Sequence, residues 1–173
     1  MIGRQVTRVS RHITAEPITA AAFEPFGWLP VADTDPADGA RRLEFEWGDP
    51  HLNVISHGPQ EVERAEAGLR CEQMFRHGSH TQALLVLDTE SVVAVAPAHL
   101  DFSRPEDVRS VRAFRLSPLD AFVLHRGTWH WGPFPLGDRA VHLYNVQGFG
   151  YARDNDSVDL SGYGLIVSES ADR

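Results

Sequence analysis

Along this chain the apolar and polar positions mostly alternate with a period of two. Leu43-Glu44-Phe45-Glu46-Trp47 puts apolar and charged side chains on opposite faces, which predicts a half-buried strand. Leu52 to His57 predicts a second strand, stopped by Gly58-Pro59, and the polar residues 59–70 predict a loop or a short helical turn. Further strands are expected over Glu72–His77, Gln82–Leu87, Ser91–Pro97, Val111–Leu116, Ala121–His125 and Ala140–Val146, with a short element starting at Trp129–Trp131. Helix signals are sparse: Thr19 is placed to cap a short helix that ends near Gly27. Asp33–Gly39, His99–Val108 and the acidic Asp154–Asp159 read as loops, and Tyr163–Val167 as an edge strand. Residues 1–12 are expected to be a loose tail or an edge strand, residues 13–167 one domain, and residues 168–173 a tail. Many short strands between tight turns predict an all-β sandwich or barrel with short peripheral helices.

Composition narrows the partners. A formal net charge of −8 opposes phosphate backbones and so excludes nucleic acid as an expected ligand. Arg41, Arg42, Arg70 and Arg76 are the side chains that could draw a small anionic substrate into a pocket. Cys71 is the single cysteine, so no disulfide can form within the chain, and a cytoplasmic setting is expected. The first ten residues lack the apolar core of a secretory signal, and no apolar run is long enough for a membrane span.

Candidate chemistry lies in the nine histidines. Four fall in two tight groups at strand–turn boundaries, where a barrel presents side chains at its mouth: Arg76-His77-Gly78-Ser79-His80-Thr81-Gln82, and His125-Arg126-Gly127-Thr128-Trp129-His130-Trp131. Imidazole both titrates near neutrality and ligates metals, so converging histidines suit acid–base work or a divalent ion. For His12, His51, His57, His99 and His142 a solvated polar role suffices.

These two groups resemble the two cupin motifs. In the first, Gln82 stands at the Glu position, His77 at the second histidine and Phe75 at the first. In the second, His125 stands at the Pro position, Gly127 fits the Gly and His130 the ligand histidine. Within the cupins, Arg76-His77 with Thr81-Gln82-Ala83, and His125-Arg126-Gly127-Thr128-Trp129-His130-Trp131, are similar to segments of the ureidoglycolate lyase family. Phe23–Gly27 and the acidic Asp154-Asn155-Asp156 also resemble that family, over roughly residues 13–167. The sequence departs from the family pattern at Phe75, where an acidic residue is common, at Trp131, where a histidine is common, and at Val146-Gln147.

The resemblance implies a double-stranded β-helix (jelly-roll) barrel, a cytoplasmic homodimer, and release of urea and glyoxylate from ureidoglycolate. It implies His77, His125 and His130 as catalytic residues, with Gln82 orienting the substrate; Arg76, whose neighbour His77 should take the opposite face of a strand, is a candidate for the carboxylate, and Trp129 and Trp131 are candidate substrate-binding aromatics or core. The chemistry is open to a histidine pair with no cofactor or to one divalent transition metal ion acting as Lewis acid, which would sit on His77, Gln82 and His130, with His80 as an alternative ligand. Two alternatives stay open: a divergent metal-dependent cupin enzyme (oxygenase, isomerase or cyclase) on a larger, less polar substrate, and a non-catalytic cupin that only binds a small ligand.

Overall fold

The computed structural model describes residues 11–32 and 41–169. It contains fourteen strands: β1 (Arg11–Pro17), β2 (Gly27–Trp28), β3 (Pro50–His57), β4 (Arg64–Ala65), β5 (Gly68–Arg70), β6 (Gln73–Arg76), β7 (Gln82–Val86), β8 (Ser91–Ala96), β9 (Arg112–Leu116), β10 (Ala121–Leu124), β11 (Trp129–Pro135), β12 (Val141–Gly148), β13 (Asp156–Asp159) and β14 (Leu165–Ser168). They form a nine-stranded sheet, ordered β13-β6-β11-β8-β9-β1-β14-β5-β4, and a five-stranded sheet, ordered β2-β10-β7-β12-β3. This is the expected all-β cupin barrel. The expected helix is α1 (Ala20–Phe23), and the Thr19 hydroxyl accepts from the Ala22 N–H at 3.2 Å.

Two cores follow from the alternation. Leu84 and Val86 of β7, Phe122 and Leu124 of β10, and Val141 and Leu143 of β12 meet Val93 and Val95 of β8 between the sheets. Phe23 on α1 plugs this interior, edge-on to Phe114 and Phe122. The other face of β8 and β11 (Val92, Ala94, Ala96, Trp129, Trp131) packs against Ile13, Leu69, Leu165 and Val167 from the strands that roll back over it. That double covering explains why β8 is buried at every position.

Four expectations need correction. Residues 59–70, expected as a loop or short helical turn, also carry β4 and β5, because β5 finds a partner in β14. Residues 43–47 form no continuous strand: Phe45 makes an isolated bridge to His80, because the opposing chain is turning there. Residues 156–159 are a strand despite their acidity, since β13 pairs with β6 and Arg76 ion-pairs with Asp156 at 3.1 Å. Strand β14 is interior, held between β1 and β5, with β1 itself parallel to both β14 and β9. The Asp33–Gly39 loop, the first ten residues and the last four lie outside the described residues.

At one end of the barrel the inward positions turn polar. Strand β7 runs Val86, Leu84, Gln82 along its inner face, and β12 runs Val141, Leu143, Asn145, Gln147. Both histidine segments arrive at this same end.

Candidate functional site

The two segments are tied to one another by backbone bonds. The Gly127 N–H donates to the His77 carbonyl at 2.6 Å, and the Arg126 Nε donates to the Gly78 carbonyl at 3.1 Å. Gly127 makes the turn possible because its φ is +77°, a conformation that disfavours a side chain. His130 sits opposite Phe75 across β11–β6, and opposite Val95 across β11–β8, so it points between the sheets. His77, two residues beyond Phe75, projects to the same side.

The result is a tight cluster. The His77 and His80 rings stack with centroids 4.7 Å apart, and His77 lies 5.2 Å from His130. With Gln82, Thr128 and His125 they line a tight recess that leaves no free volume for a water-sized sphere. His77, His80, Gln82 and His130 are all buried, whereas His125 is exposed at the rim, its ring 5.4 Å from that of Trp28.

Each buried imidazole turns Nδ1 away from the pocket. His77 Nδ1 donates to the Asp154 carbonyl at 2.6 Å and His130 Nδ1 to the Thr128 carbonyl at 3.2 Å. A carbonyl can only accept, so both rings carry their proton on Nδ1 and keep an Nε2 lone pair. His80 Nδ1 lies 3.2 Å from the Asp154 carboxylate, within ion-pair range but off the hydrogen-bond direction, and His80 Nε2 has no partner. Gln82 donates its Nε2 to Asn145 Oδ1 at 2.8 Å, and Asn145 donates in turn to Asn53 Oδ1 at 2.8 Å. Gln82 Oε1 is left buried without a partner.

Burial holds these imidazoles uncharged. It pushes His130 down to about 3, with repulsion from His77 adding to the effect. Burial and the His77 charge push His80 down to about 4 against the pull of Asp154. His77 is lowered too, by burial, with the Asp154 carbonyl opposing the shift. For Asp154 burial works upward, but the Ser79 and Gly78 N–H groups outweigh it and hold the carboxyl below its ordinary range.

The donor chemistry fits a divalent metal. Ligation needs deprotonated imidazoles with a free nitrogen, and His77, His130 and Gln82 Oε1 provide two such nitrogens and a buried oxygen with no partner. Among the described residues, no three His, Cys, Asp or Glu side chains are grouped to hold an ion, so the amide oxygen would have to complete the set.

Four sequence-derived candidates lie elsewhere. Trp129 and Trp131 flank His130 on its strand and therefore face the opposite core; the Trp129 indole donates to the Leu100 carbonyl at 2.8 Å. Arg76, next to His77, also faces away, with its guanidinium 4.4 Å above the Trp129 ring and bonded to Asp156. Arg70 pairs with Glu63 on the outer surface. Arg41 and Arg42 line a neighbouring cleft of roughly 490 Å³ with Trp28, Arg126 and Glu44, which shares His125 with the histidine recess. Asp154 and Asn145 were missed. The signal for Asn145 is an amide at an inward position of an alternating strand, followed by a second at Gln147.

A family model for ureidoglycolate lyase matches residues 10–163. Among solved structures, a dTDP sugar isomerase from Desulfovibrio desulfuricans G20 is similar at a TM-score of 0.45 and 11% identity, over 76% of this chain and 73% of that one. A deletion mutant of Bacillus subtilis oxalate decarboxylase is similar at 0.39 and 12% identity, over 84% of this chain and 30% of that one. No curated protein sequence matches the chain. Among the described residues, no helix is long and apolar enough to cross a membrane.

Proposed function

The chain belongs to the ureidoglycolate lyase family, and from that premise we propose that it is a carbon–nitrogen lyase cleaving a small ureido hydroxy acid to an oxo acid and urea. The observation that supports this most is the cluster of buried, uncharged imidazoles at the polar end of the barrel, each presenting a bare Nε2.

Such nitrogens accept hydrogen bonds from the substrate hydroxyl and N–H groups. His77 takes the proton of the carbinol hydroxyl; the C–O bond becomes a carbonyl, the C–N bond breaks, and the leaving nitrogen gains a proton from His125 at the solvent-facing rim. His130 Nε2 accepts a further hydrogen bond from the substrate, while Gln82 Oε1 accepts from the ureido end. Arg41 or Arg42 in the adjoining cleft pairs with the carboxylate. Were a divalent ion bound instead, His77, His130 and Gln82 would hold it, and it would supply Lewis-acid polarisation of the hydroxyl in place of proton abstraction by His77.

The test is urea release from ureidoglycolate by untagged protein, with metal content measured on the same sample. His130→Ala is expected to abolish release while the fold persists; near-wild-type turnover in that variant refutes the site. A second reading, a metal-dependent cupin enzyme on a larger and less polar substrate, draws support from the cleft bordered by Trp28 and His125, which offers more volume than a small ureido acid fills. A stoichiometric transition metal without urea release would favour it.

A further inference from the structure

Asp154 stands 77 residues along the chain from His77 and is brought to it by the β13–β6 pairing. Its groups meet the histidine turn four times. The carboxylate accepts from the Gly78 N–H at 2.9 Å and from the Ser79 N–H at 2.8 Å. The same carboxylate faces His80 Nδ1 at 3.2 Å, and the backbone carbonyl accepts from His77 Nδ1 at 2.6 Å. The His80 side chain is fully buried and the Asp154 side chain 16% exposed.

We propose that Asp154 is the positioning residue of the pocket: it fixes His77 and His80 as Nδ1–H tautomers, so that both present an Nε2 lone pair to whatever binds between them and His130. The carbonyl enforces this for His77, because it has no proton to give. The carboxylate enforces it for His80 electrostatically, because a ring lone pair facing an anion is repelled and an N–H dipole is attracted, and in a buried setting that difference is weakly screened. His130 is set independently by the Thr128 carbonyl. The buried part of the pocket wall then offers acceptors, three imidazole nitrogens and Gln82 Oε1, with His125 at the rim. Such a wall selects a ligand rich in N–H or O–H donors. This inference rests on reading the pocket as the reaction site, but its test does not depend on turnover.

The experiment is long-range proton–nitrogen correlation NMR on full-length protein labelled with ¹⁵N-histidine, above pH 7, for wild type and Asp154→Ala. Wild type should show His77, His80 and His130 all protonated on Nδ1. In Asp154→Ala the His77 and His130 signals should stay, since backbone carbonyls hold them, and only His80 should shift toward the Nε2–H form. Those two unchanged rings also report that the fold has survived. kcat/KM should fall by about 10–100-fold, as outer-sphere removal does. An unchanged His80 in the variant overturns the inference. If Asp154→Ala does not fold, wild type alone decides, since an Nε2 proton on His80 is incompatible with the role. Three Nδ1–H rings in a protein that releases no urea would sustain this inference and overturn the lyase reading.

Discussion

Keeping His130 uncharged makes stability depend on pH, and the sign can be worked out. The unfolded imidazole titrates near 6.5, and in the folded chain burial and His77 lower it to about 3. Between those values the unfolded state binds the extra proton, so stability rises with pH across the window. The contribution is complete above 6.5 and is lost as acid carries the protein toward 3. At about 1.4 kcal/mol per pH unit, lowering the pH from 6.5 to 5 costs about 2 kcal/mol through His130 alone. His80, lowered to about 4, acts in the same direction and over the upper part of the same window. The assay is urea denaturation of wild type and His130→Gln at pH 7, 6 and 5, at constant ionic strength and with a chelator present, so that protons compete with no metal. Taking the difference between the two proteins cancels the titration of the groups they share. With urea slopes of about 1–3 kcal/mol per molar, the wild-type midpoint should fall by roughly 1 M more than that of the variant between pH 7 and 5. Parallel midpoints would mean that His130 takes up protons as readily in the folded chain as in the unfolded one, and would refute its dry, crowded setting.

Gln82→Leu removes the donor to buried Asn145 Oδ1 and should cost about 1–3 kcal/mol by chemical denaturation; equal stability would break the Gln82–Asn145–Asn53 chain. Phe75→Glu sets a carboxylate directly across the strand pair from His130, and Mn²⁺ titration calorimetry should show affinity rising by on the order of tenfold; no change would mean that position 75 does not address the pocket. For the expected homodimer we propose the outer face of the five-stranded sheet, where Leu52 is 65% exposed, Val54 55% and Tyr144 47%. A second copy turned about a two-fold axis would lay these side chains on their counterparts. Leu52→Asp should then convert dimer to monomer in light scattering, and a monomeric wild type would refute the assignment.

What could be read from the sequence was whatever depends on period and local turn chemistry. The strands from Gln82 to Leu116 follow from their apolar runs, and the Thr19 cap from a single hydroxyl before an alanine run. The same period also decides which neighbours of the histidines face the pocket. Residues next to each other on a strand face opposite ways, so a histidine at 130 that points inward sends Trp129 and Trp131 outward into the second core, as Arg76 is sent away by His77. Local pattern could not reveal pairing between distant segments. The acidic run from Asp154 has the composition of a loop, and it becomes a strand only because the edge of β6 offers a ladder and Arg76 an opposite charge. That pairing delivers Asp154 to His77 and His80. The histidines name the chemistry, but the protons of two of them are placed by a residue from another part of the chain. The bare Nε2 atoms of His77 and His80 therefore follow from the topology of the nine-stranded sheet, whereas that of His130 follows from the Thr128 carbonyl within its own segment.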